Sequence, residues 1–90
     1  MASITGESVP SIAAGYRLQW EEAQNGYVLL YPEGVVQLNG SSAEIMKRID
    51  GEQTVAGIIV DLKNAFPGAE LDDDVIAFLD VAANNGWLDV

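Results

Sequence analysis

Residues 29–45 read LLYPEGVVQLNGSSAEI, and within them the chain passes from strand spacing to helix spacing. Ahead of this stretch the apolar residues alternate with polar ones. Beyond it they recur every three or four positions, as the inward face of a helix requires. Tyr31, Pro32, Glu33 and Gly34 form a turn signal, because Pro presets φ at the second position and Gly is favoured at the fourth. The turn leads into GVVQLN, residues 34–39. Since helices follow, this is the last strand, and it is expected at a sheet edge with unpaired backbone groups.

Toward the N-terminus, Tyr16, Leu18 and Trp20 alternate with Arg17, Gln19 and Glu21 over residues 16–23, the pattern of a half-buried strand. Asn25-Gly26 separates it from YVLLY, residues 27–31. Asn-Gly tolerates the two positive φ values of a type I′ turn, so the spacing predicts a tight hairpin with Gln24 opposite Tyr27 and Trp20 opposite Tyr31. A three-stranded antiparallel meander results. Residues 1–15 mix Ser, Thr, Gly, Pro and Ala with isolated Ile4, Val9 and Ile12 and show neither period. They are expected to form a flexible tail, with residues 16–90 making a single domain.

Toward the C-terminus, Ser41 with Glu44 three positions later matches a capping box. Ile45, Met46 and Ile49 then form the buried side of a short helix, with Lys47 and Arg48 outward and Asp50-Gly51 at its end. Thr54 is the expected N-cap of a second helix whose stripe is Val55, Ile58, Ile59, Leu62 and Phe66, stopped by Pro67-Gly68. Asp72 is the expected cap of a third, with Val75, Phe78, Leu79 and Ala82 inward and Asn85-Gly86 at its close. The predicted class is α+β: a three-stranded antiparallel meander followed by a three-helix bundle.

The chain has 90 residues, a 49% hydrophobic fraction and a net charge of -10. Such a length supports one core. Residues 50–90 carry nine acidic residues against Lys63 alone, so a basic peptide or protein face is the natural complement. Nucleic acid is excluded, because duplex binding needs Lys and Arg to displace counterions and residues 71–90 have neither. An anionic membrane surface is excluded on the same ground. No apolar run approaches the roughly 20 residues of a membrane span, and residues 1–15 lack the layout of a signal peptide, so a cytoplasmic protein is expected.

With no Cys and no His, disulfides, thiolates, ordinary zinc sites, iron-sulfur ligation and imidazole acid-base chemistry are absent. Asp72, Asp73 and Asp74 lack the spacing of a calcium loop and suit the positive end of a helix instead. Ser41, Ser42 and Thr54 sit at helix starts, where capping accounts for them, and nothing near them in sequence would serve as a base. The aromatic residues read as core packing. No cofactor, metal or catalytic residue is expected, and the chain is read as not an enzyme. One feature stands out: the third helix carries a second stripe of Ile76, Asp80, Ala83 and Trp87, which suggests the wall of a groove.

Taken together, Leu30-Tyr31-Pro32-Glu33-Gly34, Leu38-Asn39, Asp50-Gly51, Thr54-Val55 and Gly86-Trp87-Leu88 resemble the PqqD family, the peptide chaperone of pyrroloquinoline quinone (PQQ) biosynthesis. The likeness runs over residues 16–90. Ile49 departs from it, standing where relatives often have Cys, at a position that reads as core. The resemblance implies a winged helix-turn-helix-like domain that serves as a recognition element for ribosomally made, modified peptides. It further implies that the PQQ precursor peptide adds as a strand beside the last strand, rests against the third helix, and is presented to a radical S-adenosylmethionine (SAM) enzyme that joins a Glu and a Tyr of the peptide.

On this footing the expected peptide-binding residues are Val35, Val36, Gln37, Leu38 and Asn39 along the edge, with Asp73, Ile76, Ala77, Asp80 and Ala83 on the third helix. A monomer is expected, with the free edge a route to an edge-paired dimer. The alternative is an acidic carrier or adaptor that binds a basic protein. Against the carrier, no Ser follows an Asp as in the Asp-Ser-Leu motif of phosphopantetheine carriers.

Overall fold

The computed structural model describes residues 4–68 and 70–90. Among them, eight elements follow in order: β1 (Ser11–Ile12), β2 (Arg17–Glu21), β3 (Gly26–Tyr31), β4 (Gly34–Gln37), α1 (Gly40–Met46), α2 (Val55–Ala65), α3 (Asp72–Asn84) and β5 (Leu88–Asp89). The architecture is α+β. An antiparallel sheet in the order β2-β3-β4 lies with three helices, and a small second ladder joins β1 to β5.

The β2-β3 hairpin differs from the two-residue turn that Asn25-Gly26 predicts. Glu21 faces Gly26 and Trp20 faces Tyr27, so the loop is residues 22–25. Its N–H groups bond back, Gln24 to the Glu21 carbonyl at 3.2 Å and Asn25 to that of Glu22 at 3.1 Å. Asn25 alone takes a left-handed φ of 53°, while Gly26 joins the strand. The longer loop is favoured because it pairs Leu18 with the fully buried Leu29. The tight turn would carry Leu18 past the strand to Glu33. The slip is an even number of residues, so every side chain keeps its face. The predicted Trp20-Tyr31 pair is replaced by two others: Trp20 meets Tyr27 edge to face at 5.2 Å, and Tyr16 stacks on Tyr31 at 5.2 Å.

Gly34 returns opposite Tyr31 as the Pro-Glu-Gly turn predicts. The strand then ends at Gln37, two residues short of the expected Asn39. Asn39 is the N-cap of α1, its side-chain oxygen accepting the Ser42 N–H at 2.8 Å. The predicted Ser41-Glu44 capping box does not form. Asn caps as well as Ser, and Glu44 lies one turn before Lys47 and Arg48, where it pairs with both at 3.1 and 3.0 Å.

Thr54 caps α2 as predicted, accepting the Gly57 N–H at 3.1 Å. Asp72, by contrast, is the first residue of α3 rather than its cap, which is Leu71 without a side-chain bond. The Asp72 carboxylate reaches Lys63 of α2 at 2.8 Å. The inward residues Ile45, Met46, Ile49, Val55, Ile58, Ile59, Leu62, Val75, Leu79 and Ala82 form one core with Leu29, and Leu18, Val36 and Leu38 pack on it from the sheet. Phe66, predicted in the α2 stripe, caps the helix end and is 44% exposed.

One departure concerns residues expected to stand apart. Residues 4–15 lie against the body rather than forming a free tail, whereas residues 1–3 of the expected tail lie outside the described residues. Ile4 belongs to the core at 9% exposure and Pro10 is fully buried. The carbonyls of Gly6 and Ser8 accept the Ala56 and Val55 N–H groups, each at 2.9 Å, and so satisfy two of the four orphan donors at the start of α2. Ser11 then pairs with Asp89 and Ile12 with Leu88. At the far end, Gly86 takes a φ of 82°, its N–H bonding the Ala83 carbonyl and the Trp87 N–H that of Ala82. This Schellman closure turns the chain into β5.

Candidate functional site

In an antiparallel ladder, bonded and non-bonded pairs alternate. The Leu38 N–H donates to the Tyr27 carbonyl at 3.2 Å, so Leu38, Val36 and Gly34 direct their backbone groups to β3. Val35 and Gln37 direct theirs away. Among the described residues no strand pairs with that side of β4, which leaves two N–H donors and two carbonyls open. By the same alternation Leu18 and Trp20 of β2 are open on the opposite side, so the sheet has two free edges where the sequence pointed to one.

Of the five strand residues singled out by sequence, Val35 is 50% exposed and Gln37 is exposed. Val36 and Leu38 turn inward and are half-buried against the core. Asn39 has its side chain committed to the cap. On α3, Asp73 and Ala77 are exposed, while Ile76, Asp80 and Ala83 are half-buried. Ile76 and Ala83 pack on the core, and the helix as a whole packs on α2 and β5.

Two clefts meet at the end of β4, and none of these five α3 residues lines either. The first, about 540 Å³, lies between the hairpin loop, the β4-α1 junction and α1. Trp20, 46% exposed, and Tyr27 form its aromatic wall, with the Lys47 ammonium 5.4 Å from the Tyr27 ring centre. The second, about 570 Å³, is framed by Gly40, Ser41, Glu44 and Ile45 of α1, Leu62 and Phe66 at the end of α2, and Leu71, Asp74 and Val75 at the start of α3. Its surface is mainly apolar. The face of α3 near the β4-α1 junction is therefore Leu71, Asp74 and Val75, roughly a quarter turn or more from Ile76.

Sequence reasoning passed over Gly40, Phe66, Leu71 and Asp74. Phe66 carried the available signal: it is the last apolar residue of its stripe, directly before Pro67-Gly68, where a helix end leaves a side chain uncovered. Glu44, which lines both clefts, is paired with two cations. Arg48 chiefly, and then Lys47, hold the Glu44 carboxyl below its ordinary range, and Arg48 also bonds the Glu44 carbonyl at 2.8 Å. Lys63 lowers the Asp72 carboxyl. Among the described residues no three carboxylates converge where a metal ion would bind.

Comparison with known proteins adds a lineage to this geometry. The family described as coenzyme PQQ synthesis protein D (PqqD) matches residues 26–88. The PqqA binding protein of Stutzerimonas stutzeri is 45% identical over 91 residues, spanning 100% of this chain and 99% of that one. The PqqA binding protein of Pseudomonas aeruginosa is 46% identical over 85 residues, 93% and 92% of the two chains. Among solved structures, the solution structure of the PqqD truncation of Methylobacterium extorquens PqqCD superposes with a TM-score of 0.81 at 29% identity, covering 97% and 95% of the two chains. That protein is described as a functional, stand-alone recognition element for ribosomally synthesised and post-translationally modified peptides. The crystal structure of PqqD from Xanthomonas campestris gives a TM-score of 0.59 at 34% identity over 97% and 99%.

Proposed function

The chain belongs to the PqqD family, and from that premise we propose that it is a non-catalytic peptide chaperone of PQQ biosynthesis. It takes the PQQ precursor peptide, PqqA, as an added strand on β4 and presents it to the radical SAM enzyme that joins a Glu and a Tyr of the peptide. It acts in the cytoplasm as a monomer, and its sheet and helices serve as a winged helix-like recognition element. Among the described residues no helix is long and apolar enough to cross a membrane.

The observation that carries this reading is the open side of β4, where the backbone groups of Val35 and Gln37 have no partner strand. Four added hydrogen bonds at about 0.5–1.5 kcal/mol each do not offset the cost of association, so side chains must contribute too. Val36 and Leu38 fix the strand from within. Contact with α3 through Ile76, Ala77 and Ala83, with Asp73 and Asp80 drawing basic residues, extends the proposal to a face of that helix that neither cleft includes.

The test is a titration of isotopically labelled protein with PqqA. The expected outcome is amide shifts concentrated in residues 35–39, with a second group in residues 73–83. Shifts at Leu18 and Trp20 instead would move the site to β2, and shifts confined to α1 and α2 would refute strand addition.

A further inference from the structure

Past Gln37 the edge of β4 leads to Gly40, which with Glu44 lines both clefts. A Cβ placed there touches no atom within 4 Å. Gly40 is therefore a bare saddle, and Glu44 beside it has its carboxylate paired with Arg48 and Lys47. We propose that a peptide paired with β4 continues over Gly40 and seats one bulky apolar side chain in the cleft between α1, α2 and α3, with a basic neighbour facing Asp74. This deepens, and rests on, the strand addition proposed above.

Three features converge on that occupant. Phe66 is a large aromatic left 44% exposed at the mouth of a mainly apolar cleft, which a seated side chain would cover. Asp74 is exposed on the rim and takes part in none of the ion pairs among the described residues, whereas Lys63, the nearby cation of α2, is held by Asp72. The rim thus favours a positive charge next to the apolar group. Reach also fits, because Gly40 follows Gln37 by three positions and an extended peptide advances about 3.3 Å per residue. The seated residue then lies about three positions beyond the one opposite Gln37.

The experiment uses the full chain, labelled at backbone amides and at Ile, Leu and Val methyls, with the PqqA of Stutzerimonas stutzeri and its alanine-scan variants. The expected result is that methyls of Ile45, Leu62 and Val75 shift together with the amides of Val35 and Gln37. One apolar peptide residue should prove an anchor whose change to Ala weakens affinity roughly tenfold or more. Gly40→Leu, which fills the saddle, should weaken wild-type peptide by a similar factor and make the anchor change silent. Circular dichroism checks its fold, and Phe66→Ala, at an exposed position, is the second variant and should also weaken binding. Shifts at Val35 and Gln37 with unmoved cleft methyls, or with the Trp20 indole moving in their place, would overturn the seated side chain while leaving strand addition intact. Unmoved Val35 and Gln37 amides would overturn both.

Discussion

Asp50 and Thr54 hold the chain between α1 and α2, each by accepting backbone N–H groups that would otherwise lack a partner. The Asp50 carboxylate takes the Glu52 and Gln53 N–H at 2.9 and 2.8 Å, and these bonds, Glu52 first, lower its pKa from the ordinary 3.8. A carboxyl depressed in the folded state adds stability above its unfolded value and loses it as pH falls through the lower, folded one. The urea midpoint should therefore fall on acidification below about pH 4, and Asp50→Ala should show a smaller acid-dependent fall than the parent. Thr54 makes the simpler case. Thr54→Ala leaves the Gly57 N–H unpaired and should cost about 1 kcal/mol in urea unfolding, with peptide affinity unchanged because Thr54 lies away from β4. Asp50-Gly51 and Thr54 were both legible as helix punctuation. The Asp50 bonds were not, since they depend on how the chain turns after Ile49.

Within β4, alternate residues have opposite duties, so two neighbouring proline substitutions should behave differently. Val35→Pro removes an N–H that points to open solvent and should leave the fold nearly intact. It should weaken PqqA binding tenfold or so, because about one strand hydrogen bond is lost and the ring crowds the incoming strand. Val36→Pro removes an N–H directed to β3 and should lower the thermal midpoint markedly. Thermal melts and a binding titration on both variants make the comparison. Periodicity made the strands, the helices and this edge readable, because burial imposes a period of 2 or 3.6 on residues such as Leu18, Leu29, Ile58 and Leu79. It did not reveal the loop of residues 22–25, where Asn25-Gly26 promised a tighter turn but pairing of Leu18 with Leu29 prevailed. Nor did it reveal β1 and β5, whose two residues each are too short to show a period and exist only through each other. Ile4→Ala tests the segment leading into β1. A free tail would tolerate it, whereas the buried position predicts a loss of about 2 kcal/mol or more in urea unfolding.

At the scale of the molecule, the net charge of -10 sets a field that favours basic partners. Affinity for PqqA should fall as salt is raised from roughly 0.05 to 0.5 M, but only moderately, because backbone pairing and apolar contact are screened far less than exposed charge. A titration series in salt measures that slope. The candidate site was legible as far as its strand, since an edge follows from strand order. The clefts beside it were not, because they arise from the angles at which three helices pack around Gly40. The ladder of Ser11 with Asp89 and Ile12 with Leu88 carries one last consequence. Every other element among the described residues lies between its two strands, so it closes the largest loop in the fold. During synthesis on the ribosome, Ile12 emerges long before Leu88, and its half of the ladder must wait for it, whereas Gly6 and Ser8 meet Ala56 and Val55 earlier. Closure of that ladder should be the last event of folding, and a chain halted before β5 should leave residues 11–12 open to proteases.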